Sequence, residues 1–185
     1  VLYQYDMEII IVFIEDSMTR SISVAMATYN GEKYIQEQLL SIFKQTYKPL
    51  EIIIVDDCST DNTLEVVKNL LATQNDHRVR IIKNESNLGY KFSFMKAASA
   101  CNGELIAFCD QDDIWFADKL ETAALAFEED DILMHCHDAY ILKGANIISE
   151  NLGLYGNDKK ISIENPWFVT PGFSQVFDAR LLRYS

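Results

Sequence analysis

The chain has 185 residues, a formal net charge of −12, 49% apolar residues and three prolines. That length suits one domain with a sizeable core, and that composition excludes an intrinsically disordered chain. The negative balance excludes nucleic acid or an anionic membrane as a broad electrostatic partner, though not a small anionic ligand held through a metal.

Residues 1–20 read as an N-terminal extension, either appended sequence or the end of a preceding segment, with the domain over 21–185. The run "MEIIIVFIED" holds six consecutive apolar residues, Ile9 to Ile14, far short of the roughly 20 that span a bilayer. Ile22 to Ala27 then predicts a short apolar strand, and Tyr29-Asn30-Gly31 a turn. Ile35, Leu39, Ile42 and Phe43 recur at helical spacing. Ile52 to Val55 is a continuous apolar run, the mark of a strand buried on both faces. Ser59, Thr60 and Asp61 offer N-cap chemistry for a second helix with Leu64, Val67 and Leu71 inward. Val79 to Ile82 is a third strand, and "NLGY" turns into a helix containing Phe94, Met95 and Ala98. Leu105 to Cys109 is a fourth strand. A helix with Leu120, Ala124 and Phe127 comes next, then strands over Ile132 to Cys136 and Tyr140 to Leu142.

This alternation implies an α/β fold, a mostly parallel Rossmann-like sheet with helices on both faces. In such sheets ligands bind outside the carboxyl ends of the strands. Three polar stretches fall there: "ATYNG", "DDCSTDNT" and "DQDD". The last places Asp110, Asp112 and Asp113 side by side. Two carboxylates about 5 Å apart repel by about 3 kcal/mol at an effective dielectric near 20. A solvated loop relieves that repulsion, and so does a divalent cation. Hard ions such as Mg²⁺ or Mn²⁺ take oxygen ligands and bridge carboxylates to phosphates. The four cysteines lack metal-type spacing and suit free thiols in a reducing, cytoplasmic setting.

Taken together, "SVAMATYNGEKYIQEQLLSIFKQTYKPLEIIIVDDCSTDNT", "NLGYKFSFMKAASACNGELIAFCDQDDIWFADKLE" and "PGFSQVFDARLL" resemble the family 2 nucleotide-sugar glycosyltransferases, which have the GT-A fold. The "DQDDIW" form is similar to the branch that includes bacterial polysaccharide rhamnosyltransferases. The likeness runs from about Ile22 to Leu182. It implies that Asp110 and Asp112, flanking Gln111, bind the metal that bridges the donor diphosphate. It implies that Asp57 reads the nucleobase or ribose, that Ala27 and Tyr29 pack on the base, and that Lys91 and Gln111 approach the donor. The implied donor is a UDP- or dTDP-sugar and the implied acceptor a saccharide or a lipid-linked precursor. Displacement would invert the anomeric carbon, in the cytoplasm or at the inner membrane face.

Other residues read more plainly. Asp113 caps or orients the acidic loop, Asp56 shapes its own loop as an acceptor, and Asp61 is an N-cap. "HCHD", His135 to Asp138, is a poor zinc site, because Cys136 points away from its neighbours in a strand. Trp115 and Trp167 suit core or rim packing as well as stacking on sugar. A phosphoacceptor domain would need an acidic pair after the first strand, where "ATYN" stands, and a nucleotidyltransferase a Gly-rich phosphate loop. The acceptor hydroxyl needs a general base. Asp138 and Asp178 are the candidates, but Asp178 precedes "ARLL" and reads as a helix N-cap. The alternative expectation is therefore a donor-binding fragment whose catalytic base lies beyond residue 185.

Overall fold

The structure, a computed structural model, describes residues 20–128, 132–137, 141–143, 146–149 and 175–184. Its order is β1 Ile22–Thr28, α1 Ile35–Phe43, β2 Glu51–Asp56, α2 Thr63–Gln74, β3 Val79–Lys83, α3 Tyr90–Ser99, β4 Leu105–Cys109 and α4 Lys119–Ala126. Then come β5 Met134–Cys136, β6 Ile141–Lys143, β7 Asn146–Ser149, β8 Gln175–Asp178 and a 3₁₀ turn, Ala179–Tyr184. The main sheet runs β3-β2-β1-β4-β8-β5, and β6 and β7 form a separate antiparallel pair. β1 to β4 are mutually parallel. β8 departs from that pattern and lies antiparallel between β4 and β5.

Alternation along the strands sends side chains to two cores. Val24, Met26, Ile52, Ile54, Leu105 and Ala107 meet Ile35, Leu39 and Ile42 of α1, Val67 and Leu70 of α2, and Leu120 and Ala123 of α4. Ala25, Ala27, Ile53, Val55, Ile106 and Phe108 meet Phe94, Ala97 and Ala98 of α3. The expected helices on both faces are thus present, three on one side and α3 on the other. β1 and β4 are wholly buried and β2 is buried from Ile52 on, as continuous apolar runs require, whereas β3 at the edge alternates between partial burial and exposure. In α2 the inward residues are Thr63, Val67 and Leu70, with Leu71 only partly buried against the core, a shift of one position from the expected stripe.

The connection from β1 goes to β2 on one side, and β4 lies on the other. The strand order therefore reverses between β1 and β4, which opens a crevice at their carboxyl ends.

Candidate functional site

A cleft of about 290 Å³ lies at that reversal. Its wall includes Ala27 and Thr28 at the end of β1 and Tyr29 after it, Asp57 after β2, Gly89, Tyr90 and Ser93 at the start of α3, and Asp110, Gln111 and Asp112 after β4. Six of the sequence-expected residues therefore converge: Ala27, Tyr29, Asp57, Asp110, Gln111 and Asp112. Lys91 is not in that lining; its ammonium lies 6.0 Å from the ring centre of Tyr90, which is.

The first loop is stitched to its neighbours. Asn30 takes a positive φ of 49°, a conformation asparagine tolerates, and its side chain accepts from Thr60 N–H at 2.8 Å. Asn30 N–H donates to Ser59 Oγ at 3.0 Å, and Gly31 N–H to Thr63 Oγ1 at 2.7 Å. Asp61 accepts from Glu32 N–H at 3.1 Å and Thr63 N–H at 3.0 Å, so it caps the entry to α2 from one residue ahead of the N-cap position, Asn62. Asp56 accepts from Ser59 N–H at 3.2 Å, as a loop-shaping residue does. Its buried Oδ1 has no hydrogen-bond partner.

Asp57 is buried and heavily satisfied. Its carboxylate accepts from Asn84 Nδ2, Leu88 N–H and Gly89 N–H, each at 2.8 Å. Burial would raise its pKa, but the donors from Leu88, Asn84, Gly89 and Ser93 outweigh that and hold it below the ordinary carboxylate range. Gly89 sits at φ 86°, which only glycine adopts without strain, and this brings its N–H to Asp57 at the N-cap of α3. The contribution of the β3–α3 loop was missed in the sequence. Its signal was available, since Asn87-Leu88-Gly89 also lies past the carboxyl end of a strand.

The acidic loop is braced from behind by α1 and by Gln45 just past its end. Trp115 N–H donates to Ser41 Oγ at 3.1 Å, Gln45 Nε2 donates to Phe116 C=O at 2.7 Å, and Gln45 Oε1 accepts from Leu120 N–H at 3.0 Å. Trp115 is core, 6% exposed, and not a sugar platform on the surface. Lys119 places its Nζ 3.7 Å from the Trp115 ring centre. It also supplies part of the compensation the clustered carboxylates require, since it favours ionised Asp113. Burial nevertheless pushes Asp113 up to about 6, aided by Asp110 and Asp112, and pushes Lys119 down to about 7. Asp112 is exposed, Asp110 half-buried, and Asp113 keeps a buried Oδ2 without a hydrogen-bond partner.

That ligand set suits a hard divalent ion: two carboxylates at a cleft, in a loop fixed by neutral polar side chains behind it. Among the described residues no three His, Cys, Asp or Glu side chains converge on one point. The protein would therefore furnish Asp110 and Asp112 and leave the other positions to ligand and water oxygens.

Asp178 is not brought to the cleft. It pairs with Leu105, at the opposite end of β4 from Asp110. Its carboxylate accepts from Arg180 N–H at 2.9 Å and forms ion pairs with Arg180 and Arg20. The expected N-cap role survives in the single backbone bond, but the next six residues form a 3₁₀ turn and the main partners are guanidinium groups. The Asp178 side chain is 2% exposed and is held by two guanidinium groups at the end of β4 away from the cleft. Asp138 and Trp167 lie outside the described residues. His135 and Cys136 lie in β5, and all four cysteines are free thiols. Among the described residues no helix is long and apolar enough to cross a membrane.

The fold and the acidic cleft define a GT-A domain. The chain belongs to glycosyl transferase family 2, whose family model matches residues 23–182. It is 34% identical over 159 residues to dTDP-rhamnosyl transferase RfbG of Shigella flexneri, covering 83% of this chain and 50% of that protein. Among solved structures it is similar to TarS of S. aureus, with a TM-score of 0.69, 27% identity, and coverage of 89% of this chain and 48% of that one. TarS has also been solved with UDP-GlcNAc. The mannosyltransferase PcManGT from Pyrobaculum calidifontis, solved with GDP-Man and Mn²⁺, matches with a TM-score of 0.60 and 26% identity over 65% of this chain and 36% of that one. The chain spans about half or less of the length of the curated relatives it matches, between 38% and 52% for three of them.

Proposed function

We propose that this chain binds a UDP- or dTDP-sugar with Mg²⁺ or Mn²⁺ and belongs to an enzyme that transfers the sugar, with inversion, to a polysaccharide or lipid-linked acceptor. The observation that carries this reading is the convergence of Asp110 and Asp112 with Tyr29 and Asp57 on one cleft at the strand-order reversal. The complexes of TarS and PcManGT support the donor class and the metal, and the name of RfbG supports dTDP as one base option.

The roles derive from position. Tyr29, 46% exposed, offers an aromatic face at the rim for a base. Ala27, at the end of β1, offers a small, nearly buried surface that lets a ring approach the strand. Asp57, its carboxylate held ionised, holds the β3–α3 loop against the cleft and presents a fixed acceptor edge. Asp110 and Asp112 would hold the metal, which when bound acts as a Lewis acid toward the charge left on the diphosphate. Of the carboxylates in the cleft lining, Asp57 is committed to the loop and Asp110 and Asp112 to the ion, so none of the three is assigned as the general base.

The test is titration calorimetry of UDP and dTDP with Mn²⁺ and with chelator. Mn²⁺ is expected to tighten binding by tenfold or more, and Asp112→Ala to abolish the difference. Equal affinity with metal and chelator in the unsubstituted chain would remove the metal from this reading.

A further inference from the structure

Gln111 stands between the two carboxylates assigned to the metal, yet its own side chain turns to the first loop. Its Oε1 accepts from Thr28 Oγ1 at 2.6 Å and from Tyr29 N–H at 2.9 Å, and its Nε2 donates to Tyr29 C=O at 3.1 Å. Both oxygen lone pairs are used, and one of two amide protons. This amide ties the loop after β4 to both backbone polar groups of Tyr29, across more than eighty residues of sequence.

Gly31 explains how the tie fits. A Cβ at that position would lie 2.7 Å from Gln111 Cδ and 3.1 Å from Thr28 Oγ1. Gly31 cannot easily withdraw, because its N–H is held by Thr63 Oγ1. Its φ is not positive, so the requirement for glycine is one of room and not of backbone conformation.

We propose that Gln111 is a positioning residue that fixes the separation between Tyr29 and the carboxylates of Asp110 and Asp112, and that Gly31 is the space this clasp needs. The inference rests on the nucleotide reading above and departs from a direct donor contact by Gln111. A direct contact acts only when ligand is present. A clasp holds Tyr29 in the empty chain as well.

Three variants separate the two: Gln111→Ala, Gly31→Ala and both together. Two readouts are measured, hydrogen exchange at the Tyr29 amide without ligand and the Kd of UDP in Mn²⁺. The clasp predicts that Gln111→Ala speeds Tyr29 exchange about tenfold and raises the Kd about tenfold, the effect of one net hydrogen bond. Gly31→Ala should do the same, and the double variant should be no worse than Gln111→Ala, because the added methyl then meets only Thr28 Oγ1, at 3.1 Å, a hydroxyl already released from Gln111 and free to turn aside. Where alanine loosens the whole fold, Gln111→Met keeps the bulk without donor or acceptor and should give the same pair of changes. Unchanged Tyr29 exchange with weakened UDP binding would overturn the clasp in favour of direct contact, and additive effects of the two substitutions would overturn the role of Gly31. Failure of the unsubstituted chain to bind UDP or dTDP would instead remove the nucleotide reading, while Tyr29 exchange still decides whether the clasp exists.

Discussion

Three neutral donors converge on the carboxylate of Asp57, two of them backbone N–H groups of one loop. An asparagine there would turn one acceptor oxygen into a donor and set it against groups that can only donate. Asp57→Asn is expected to destabilise the fold by about 1.5–3 kcal/mol, the range for hydrogen bonds to a charged group. A chain of this size loses about 2–4 °C of melting temperature per kcal/mol, so a drop of roughly 5 °C should appear in a circular dichroism melt. An unchanged melt would mean that residues 84–89 hold their shape without Asp57. The resemblance assigns Asp57 to the ligand; the structure adds a loop anchor that the motif "VDD" does not reveal.

At the scale of elements, α1 is the brace of the acidic loop. Its inward face mixes Ile35, Leu39 and Ile42 with the buried polar side chains of Gln38 and Ser41, and buried Gln45 follows just past its end. Gln38 Nε2 donates to Cys109 Sγ at 2.7 Å, and Gln45 satisfies a carbonyl and an N–H of the segment after the acidic residues. Gln45→Ala would take the acceptor from the buried Leu120 N–H and leave the Phe116 carbonyl held by Lys119 N–H without its second donor. It is expected to cost about 2–3 kcal/mol and to weaken Mn²⁺-dependent UDP binding, as measured by chemical denaturation and calorimetry on the same variant. Loss of stability without loss of metal dependence would place the acidic loop's rigidity elsewhere. The apolar periodicity of α1 and the continuous runs of β1, β2 and β4 were legible in the sequence because burial on one helix face or two sheet faces imposes them locally. The carboxyl-edge rule likewise located most of the cleft. Gln38, Ser41 and Gln45 were not legible as braces, since their partners lie some seventy residues away and nothing local distinguishes them from surface polar residues. The insertion of β8 was hidden for the same reason: its antiparallel register is a nonlocal fact.

For the whole molecule, the carboxylates of Asp57, Asp61, Asp76 and Asp178 all have pKa values below their ordinary value. At Asp57, Asp61 and Asp178 burial opposes the shift and hydrogen-bond donors override it; at Asp76 the Arg78 side chain leads. The unfolded chain, with carboxyl pKa near 3.9, takes up these protons first as pH falls. Their stabilisation is therefore complete above that value and is lost below it. Asp113, raised to about 6, favours the folded state as pH drops from 7 toward 4, while His135, lowered by burial and by Lys119, opposes it. The expected profile is a plateau between about pH 5 and 7 and a steep fall below about pH 4. Calorimetric melts across this range check it, and a melting temperature as high at pH 3 as at pH 6 would contradict it. The placement of β8 carries a consequence for the newborn chain. Among the described residues β4 gains its second neighbour from Gln175–Asp178, about seventy residues further on, and β5 joins the sheet through β8. At roughly 5–20 residues per second of synthesis, the unpaired backbone edge of the apolar strand Leu105–Cys109 stays open for several seconds after it leaves the ribosome. During that interval this edge is a template for pairing with another chain, and so a target for the chaperones that meet nascent polypeptides.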